Sequence, residues 1–93
     1  MSTTASGTVT IANRLGLHAR PAMLFVEVAS AFKADIHVRR VDQKETVDGK
    51  SIMQMMMLAA TQGTKIEITA NGKDANAALS DLIALVKSKF QED

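Results

Sequence analysis

The sequence predicts an α/β (α+β) two-layer open-faced sandwich with the element order β-α-β-β-α-β-α. Three observations predict this fold. Four short segments alternate apolar and polar residues, as half-buried strands do. Three longer runs repeat apolar residues with helical spacing. Each strand has one polar face, which favours an antiparallel sheet. We therefore expect a four-stranded antiparallel sheet with three helices on one face.

The first half of the chain is predicted to hold three strands and one helix. Residues 8–12 alternate and form the first strand. Residues 19–32 carry apolar side chains at helical spacing. Residues 36–39 alternate again, and the polar residues 42–45 form the loop of a hairpin. A short third strand follows near residues 46–47.

The second half is predicted to hold two helices and one strand. Ser51 and Gln54 form a capping box that opens a methionine-rich helix, and Gly63 is expected to end it. Residues 65–69 alternate and form the fourth strand. A turn at Asn71-Gly72 leads to a last helix, which Asp74 caps; its apolar stripe runs to Phe90.

Composition limits the possible partners and the location. The 93 residues are predicted to form one domain at 7–93 after a frayed tail at 1–6. A net charge of +1 and only three aromatic residues argue against nucleic-acid binding. No apolar run is long enough for membrane insertion, and residues 1–6 do not form a signal peptide. There is no cysteine, which excludes disulfides and cysteine-based metal sites and fits a reducing compartment. A cytoplasmic location is the default expectation, and we expect a monomer without metal or cofactor.

The candidate site is the segment of residues 16–22, where a strand gives way to a helix. His18 is expected at the N-cap, next to backbone N–H groups without partners inside the helix, here those of Ala19 and Arg20. An imidazole with the ordinary histidine pKa of about 6.5 is a nucleophile near neutral pH. A phosphoryl group on His18 would meet these N–H groups and the Arg20 guanidinium.

The same residues also have simpler interpretations. His18 can be only a helix cap or a packed ring, and Arg20 only a solvated side chain. Pro21 disfavours the helical region for Arg20, so we expect an irregular first turn. His37 lies on the outer face of a strand and is expected to be a surface histidine. On this evidence alone, a small interaction or ligand-binding module stays an alternative.

The middle helix has more methionines than one buried stripe needs. Met53, Met55, Met56 and Met57 are close together in the sequence, so some must be exposed. Exposed flexible thioethers favour a docking surface. The alternative is a helix packed on two sides.

These motifs together resemble one family. The GLHARPA segment at residues 16–22 and the KSIM segment at 50–53, with Gly63 and Phe90, are similar to the histidine-containing phosphocarrier proteins (HPr) of the bacterial phosphoenolpyruvate-dependent sugar phosphotransferase system. The resemblance extends from Thr8 to Phe90. It implies an open-faced β-sandwich, in agreement with the fold predicted above.

The resemblance implies a role for each site residue. His18 would be phosphorylated on Nδ1 by phosphorylated enzyme I and would pass the group to a histidine of an enzyme IIA component, while Arg20 would stabilise the phosphoryl group. Ser51 would be the serine that an HPr kinase/phosphorylase modifies in some bacteria. The expected docking residues are Lys50, Ile52, Met53 and Met56.

The branch of the system stays open. Leu15 stands where many sugar-branch members have a small polar residue, and leucine there also occurs in nitrogen-branch relatives (NPr). Asp48-Gly49 precedes Lys50 where Asn plus Ala or Leu is more usual. A regulatory nitrogen-branch phosphocarrier is therefore the alternative function.

Overall fold

The structure is a computed structural model that describes residues 3–91. Its elements are, in chain order, β1 (Thr3–Thr10), α1 (Ala19–Ser30), β2 (Asp35–Arg40), β3 (Thr46–Asp48), α2 (Ile52–Met57), β4 (Lys65–Gly72), α3 (Ala75–Lys87) and a 3-10 turn (Lys89–Gln91). The predicted order β-α-β-β-α-β-α is confirmed.

The four strands form one antiparallel sheet in the order β1-β4-β2-β3. Alternate side chains of the central strands point into the core, where Ile36, Val38, Ile66 and Ile68 are fully buried. The helices cover this face, while His37 is exposed on the other, as predicted for a surface histidine. Within the described part of the chain, no helix combines the length and the hydropathy that a bilayer crossing requires.

The outer strand β1 is longer than predicted. The expectation of a frayed tail at 1–6 is wrong for residues 3–6, which pair with the end of β4; Met1 and Ser2 lie outside the described residues. Thr3 is opposite Gly72, so the predicted turn at Asn71-Gly72 is part of β4. Residues 3–6 therefore belong to the sheet. The length of a strand depends on how far a partner strand offers hydrogen bonds to its backbone, and the local sequence does not reveal that length.

The helices α1 and α2 lie side by side in opposite directions. Just before α1, the N–H of Leu17 donates to the carbonyl of Ala60, which follows α2 (2.8 Å). Beyond the other end of α1, the Phe32 carbonyl accepts a bond from Lys50 Nζ, which precedes α2 (2.8 Å). The start of α1 is therefore adjacent to the end of α2.

The methionine-rich helix α2 begins as predicted and ends earlier. Gln54 N–H donates to Ser51 Oγ (3.3 Å), which confirms Ser51 as the N-cap. The Gln54 side chain accepts from the N–H of Asp48 (2.9 Å), so only half of the capping box forms. The expectation that Gly63 ends this helix is wrong. The chain leaves it at Ala59, which has φ +53°, while Gly63 precedes β4.

The last helix has different end contacts from those predicted. Asp74 is the N-cap of α3, yet its side chain does not cap that helix. Its carboxylate accepts bonds from the N–H groups of Lys33 (2.8 Å) and Ala34 (2.9 Å), between α1 and β2. The predicted stripe ends before Phe90, because α3 stops at Lys87. Phe90 lies in the turn that follows α3, where its φ is +55°, and its side chain is fully buried.

Candidate functional site

His18 is the N-cap of α1, as predicted, with an extended backbone (φ −90°, ψ −166°). Its side chain makes no capping hydrogen bond to the helix. The residue is half-buried, and its Nε2 atom is buried. In this conformation Nε2 is closed to a reagent from solvent.

The first turn of α1 has two backbone donors that no carbonyl within the helix can satisfy. Ala19 and Arg20 are its first two residues, and their N–H groups have no carbonyl four residues earlier within the helix. Pro21 has no N–H, and Ala22 N–H donates to His18 O (3.0 Å). The expected irregular first turn is wrong, because the helix is regular from Ala19 onward. The N–H groups of Ala19 and Arg20 are therefore the donors next to the His18 ring.

Arg20 adds an exposed positive charge at this helix end. It is exposed, and its guanidinium forms no hydrogen bond or ion pair with residues 3–91. A cation in the first turn is slightly unfavourable to the helix dipole. A guanidinium in this position can fork onto two oxygens of a bound anion.

The loop before His18 is held by a buried asparagine that sequence reasoning missed. Asn13 is only 1% exposed, and its Nδ2 donates to Gly16 O (2.7 Å). Gly16 O also accepts from His18 N (3.0 Å), and Gly16 N donates to Asn13 O (3.1 Å). An asparagine directly after a strand is a usual turn residue, which was the available signal. These bonds fix the backbone from which the His18 ring projects.

Gly16 is required at the centre of this loop. Its φ is +70°, a region that other residues rarely adopt. A Cβ atom here would lie 2.6 Å from the carbonyl oxygen of Ala60 and 2.8 Å from Cα of Thr61. The close approach lets the loop rest directly on the segment that follows α2.

An arginine from the sheet supports that same segment. Arg40 donates from Nη1 to Ala59 O (3.1 Å) and forms two bonds with the Asp42 carboxylate (3.1 and 3.0 Å). The hydrogen bond with Asp42 raises the pKa of Arg40, and the same bond lowers the pKa of Asp42. Because Ala59 adjoins Ala60, the Arg40–Asp42 ion pair helps to hold the backbone segment against which the His18 loop packs.

Exposed apolar side chains lie on three segments next to the His18 site. The apolar surface, as we call it, consists of Leu15 in the loop, Met23 on α1, and Ile52, Met53, Met56 and Met57 on α2. The prediction that some methionines of α2 are exposed is confirmed, while Met55 is fully buried. Since the end of α2 adjoins the start of α1, Met56 and Met57 lie nearer the His18 loop than Ile52 and Met53 do.

Comparison with known proteins identifies the family. The family described as "PTS-HPr: PTS HPr component phosphorylation site" matches residues 5–88. The chain belongs to the HPr phosphocarrier family. The phosphocarrier protein HPr of Pseudomonas aeruginosa is 44% identical over 84 residues, covering 90% of this chain and 92% of that protein. The phosphocarrier protein NPr of Escherichia coli is 39% identical over 90 residues, covering 97% of this chain and 99% of that protein.

Solved HPr structures share the fold. The crystal structure of HPr-C-His from Thermoanaerobacter tengcongensis has a TM-score of 0.89 at 42% identity, covering 96% of this chain and 98% of that one. An HPr dimer from the same organism has a TM-score of 0.75 at 43% identity, covering 90% and 94%. The resemblance to HPr inferred from the GLHARPA and KSIM segments is confirmed.

Ser51 and Lys50 lie away from the His18 ring. Both precede α2, whose far end is the one next to the His18 loop. Ser51 is half-buried, and its Oγ accepts the N–H of Gln54. The Lys50 ammonium is directed to Phe32 O, so it links α1 to α2 in addition to its predicted docking role.

Proposed function

We propose that His18 accepts a phosphoryl group on Nδ1 from phosphorylated enzyme I and passes it to a histidine of an enzyme IIA component. The observation that carries this proposal is the position of the half-buried ring at the N-cap, with Nε2 buried and the N–H groups of Ala19 and Arg20 beside it. Membership of the HPr family supports the same chemistry.

The transfer forms a nitrogen–phosphorus bond on His18 and breaks the bond that holds the phosphoryl group on enzyme I. The lone pair of Nδ1 attacks phosphorus in line with the donor atom of enzyme I, which leaves with the bonding electron pair. The ring must then carry its proton on Nε2, which is the buried nitrogen. The reverse arrangement delivers the group to enzyme IIA, so the carrier ends in its starting state.

The phosphoryl oxygens on Nδ1 would meet the N–H groups of Ala19 and Arg20 and the Arg20 guanidinium. A hydrogen bond to a charged group is worth about 1.5–3 kcal/mol. A carrier must also release its group, and a shallow site with an exposed Arg20 is suited to that. The partner protein then completes the in-line geometry.

The apolar surface is proposed to dock both partner proteins. Ile52, Met53 and Met56 are the predicted contacts, with Lys50 at the edge, and Leu15 and Met57 extend the surface toward His18. Interfaces are rich in methionine and poor in charge at their centres. One surface of flexible side chains can fit two different partners.

A nitrogen-branch role is the second candidate. Leu15 is exposed in the loop before His18, where a partner would contact it, and the resemblance to NPr relatives implies a leucine at this position. The sugar branch, the cytoplasmic location, the monomeric state and the phosphorylation of Ser51 by an HPr kinase/phosphorylase stay predictions.

Intact-mass measurement after incubation with phosphoenolpyruvate and enzyme I tests the proposal. The wild type should gain one phosphoryl group that is lost in acid, and His18→Ala should gain none while keeping its fold. His37→Ala is the matched control, since His37 is exposed on the far face of the sheet. Arg20→Glu should fold normally and accept the group slowly. Acid-labile phosphate on His18→Ala would refute the proposal.

Supplying enzyme IIA proteins of the sugar and nitrogen branches as acceptors then separates the two candidate functions. The expected result is faster transfer to one class of enzyme IIA, and the class that accepts the group faster identifies the branch. Failure of both classes to accept the group would exclude the onward step.

A further inference from the structure

The methionines of α2 differ sharply in their access to solvent. Met53 is 76% exposed and Met57 is 74% exposed, whereas Met55 between them is fully buried. Met23 and Met56 are exposed to a smaller extent. A thioether in solvent reacts readily with peroxides, and a buried one is shielded. The helix therefore contains both reactive and protected methionines within six residues.

We propose that Met53 and Met57 are sites of reversible oxidation, and that their oxidation lowers phosphoryl acceptance by weakening partner docking. The inference rests on the proposed function of the apolar surface. It adds a chemical modification that would couple the carrier to the oxidant level of its surroundings.

The chemical step uses a peroxide such as hydrogen peroxide. A sulfur lone pair attacks one peroxide oxygen, the O–O bond breaks, and an S–O bond forms. The sulfur loses two electrons, the peroxide is reduced, and one molecule of water leaves. A thiol-dependent methionine sulfoxide reductase returns the thioether and oxidises two thiols to a disulfide.

Oxidation changes the property that makes these side chains suitable for docking. A sulfoxide is polar and accepts hydrogen bonds, so burying it against an apolar partner leaves that acceptor unsatisfied. Both side chains are mostly exposed to solvent, so an added oxygen atom has room without entering the core. The fold is held instead by residues such as Met55 and Leu58, which are buried beneath the same helix. The expected effect is therefore on partner binding and not on folding.

Limited treatment of the full-length protein with hydrogen peroxide tests the proposal. Peptide mapping should find sulfoxide at Met53 and Met57 first and none at Met55 while the protein stays folded by circular dichroism. The second-order rate constant for phosphoryl transfer from enzyme I should fall about tenfold, which corresponds to about 1.4 kcal/mol in activation free energy. Sulfoxide reductase should restore the rate.

Two variants serve as matched controls, each compared with itself before and after peroxide. In the double variant Met53→Leu/Met57→Leu, the rate constant after peroxide divided by that before peroxide should stay near one, whatever the starting value. In Met55→Leu the ratio should fall as in the wild type. Sulfoxide at Met53 and Met57 with an unchanged rate would overturn the functional inference, and equal oxidation of Met55 would overturn the site assignment.

The untreated wild type separates this inference from the proposed function. If the untreated protein accepts no phosphate, the phosphocarrier proposal fails, and the effect on docking fails with it. If it accepts phosphate and oxidation has no effect, only the present inference fails.

Discussion

Replacing Asn13 with alanine tests whether the loop before His18 is fixed by a single buried side chain. The substitution removes the Nδ2 donor that lies 2.7 Å from Gly16 O. A buried polar group that loses its partner costs about 1–3 kcal/mol. Gly16 O keeps its bond from His18 N, so we expect the lower part of this range, about 1–2 kcal/mol.

This loss should be visible in thermal unfolding. For a domain of this size, 1 kcal/mol corresponds to about 4–8 °C in Tm, so the Tm of Asn13→Ala should fall by about 4–16 °C. Urea unfolding followed by circular dichroism gives the free energy of unfolding independently. Asn76→Ala is the matched control, because Asn76 is exposed on α3 and should change stability by less than about 0.5 kcal/mol.

The same variant should transfer more slowly at a temperature where it is fully folded. A loop that has lost about 1.4 kcal/mol of support populates its reactive conformation up to about tenfold less. Initial rates of phosphorylation by enzyme I measure this directly. Normal stability would show that the bond to Gly16 contributes nothing, and reduced stability with a normal rate would show that Asn13 supports the core without positioning His18.

Three further predictions concern other parts of the fold. Gly49→Ala should lower the free energy of unfolding by about 1–3 kcal/mol, because the added Cβ would lie 2.5 Å from Cγ2 of Ile36. In a double-mutant cycle measured by urea unfolding, this loss should be smaller in an Ile36→Ala background. An unchanged loss would contradict the clash. The pKa of Asp74 is lowered, chiefly by the hydrogen bond that its carboxylate accepts from the N–H of Lys33. The ionised Asp74 carboxylate therefore stabilises the fold above the unfolded-state pKa of about 3.9. This stabilisation is lost as the pH falls through the lower pKa of the folded state. The Tm of Asp74→Asn should be below that of the wild type at pH 7 and should approach it in acid; a constant difference would refute the assignment. Met53→Glu should weaken enzyme I binding in calorimetry with little change in Tm, whereas normal binding with a collapsed Tm would make Met53 a core residue.

Local patterns were sufficient for the order of elements and for the helix starts. Alternation along residues 65–69 and helical spacing along α1 reflect which side chains face the core, and both are properties of the sequence. The N-caps at His18 and Ser51 were predictable for the same reason, since capping involves neighbouring residues.

Element ends were less predictable because they depend on distant partners. β1 includes residues 3–6 because β4 provides backbone groups to pair with as far as Gly72. α2 stops well before Gly63, and its exit through Ala59 is held by Arg40 from the sheet. Neither contact leaves a signal in the local sequence.

The sequence by itself determined the layered fold and the residue types at the site, because hydrophobic periodicity and helix capping act over a few neighbouring residues. Only the tertiary structure decided that Nε2 of His18 is buried, that Asn13 holds the loop beneath it, and that Met53 and Met57 face solvent while Met55 does not. Each of these depends on packing between segments far apart in the chain, and exposure is a property of the assembled surfaces rather than of any one stretch of residues.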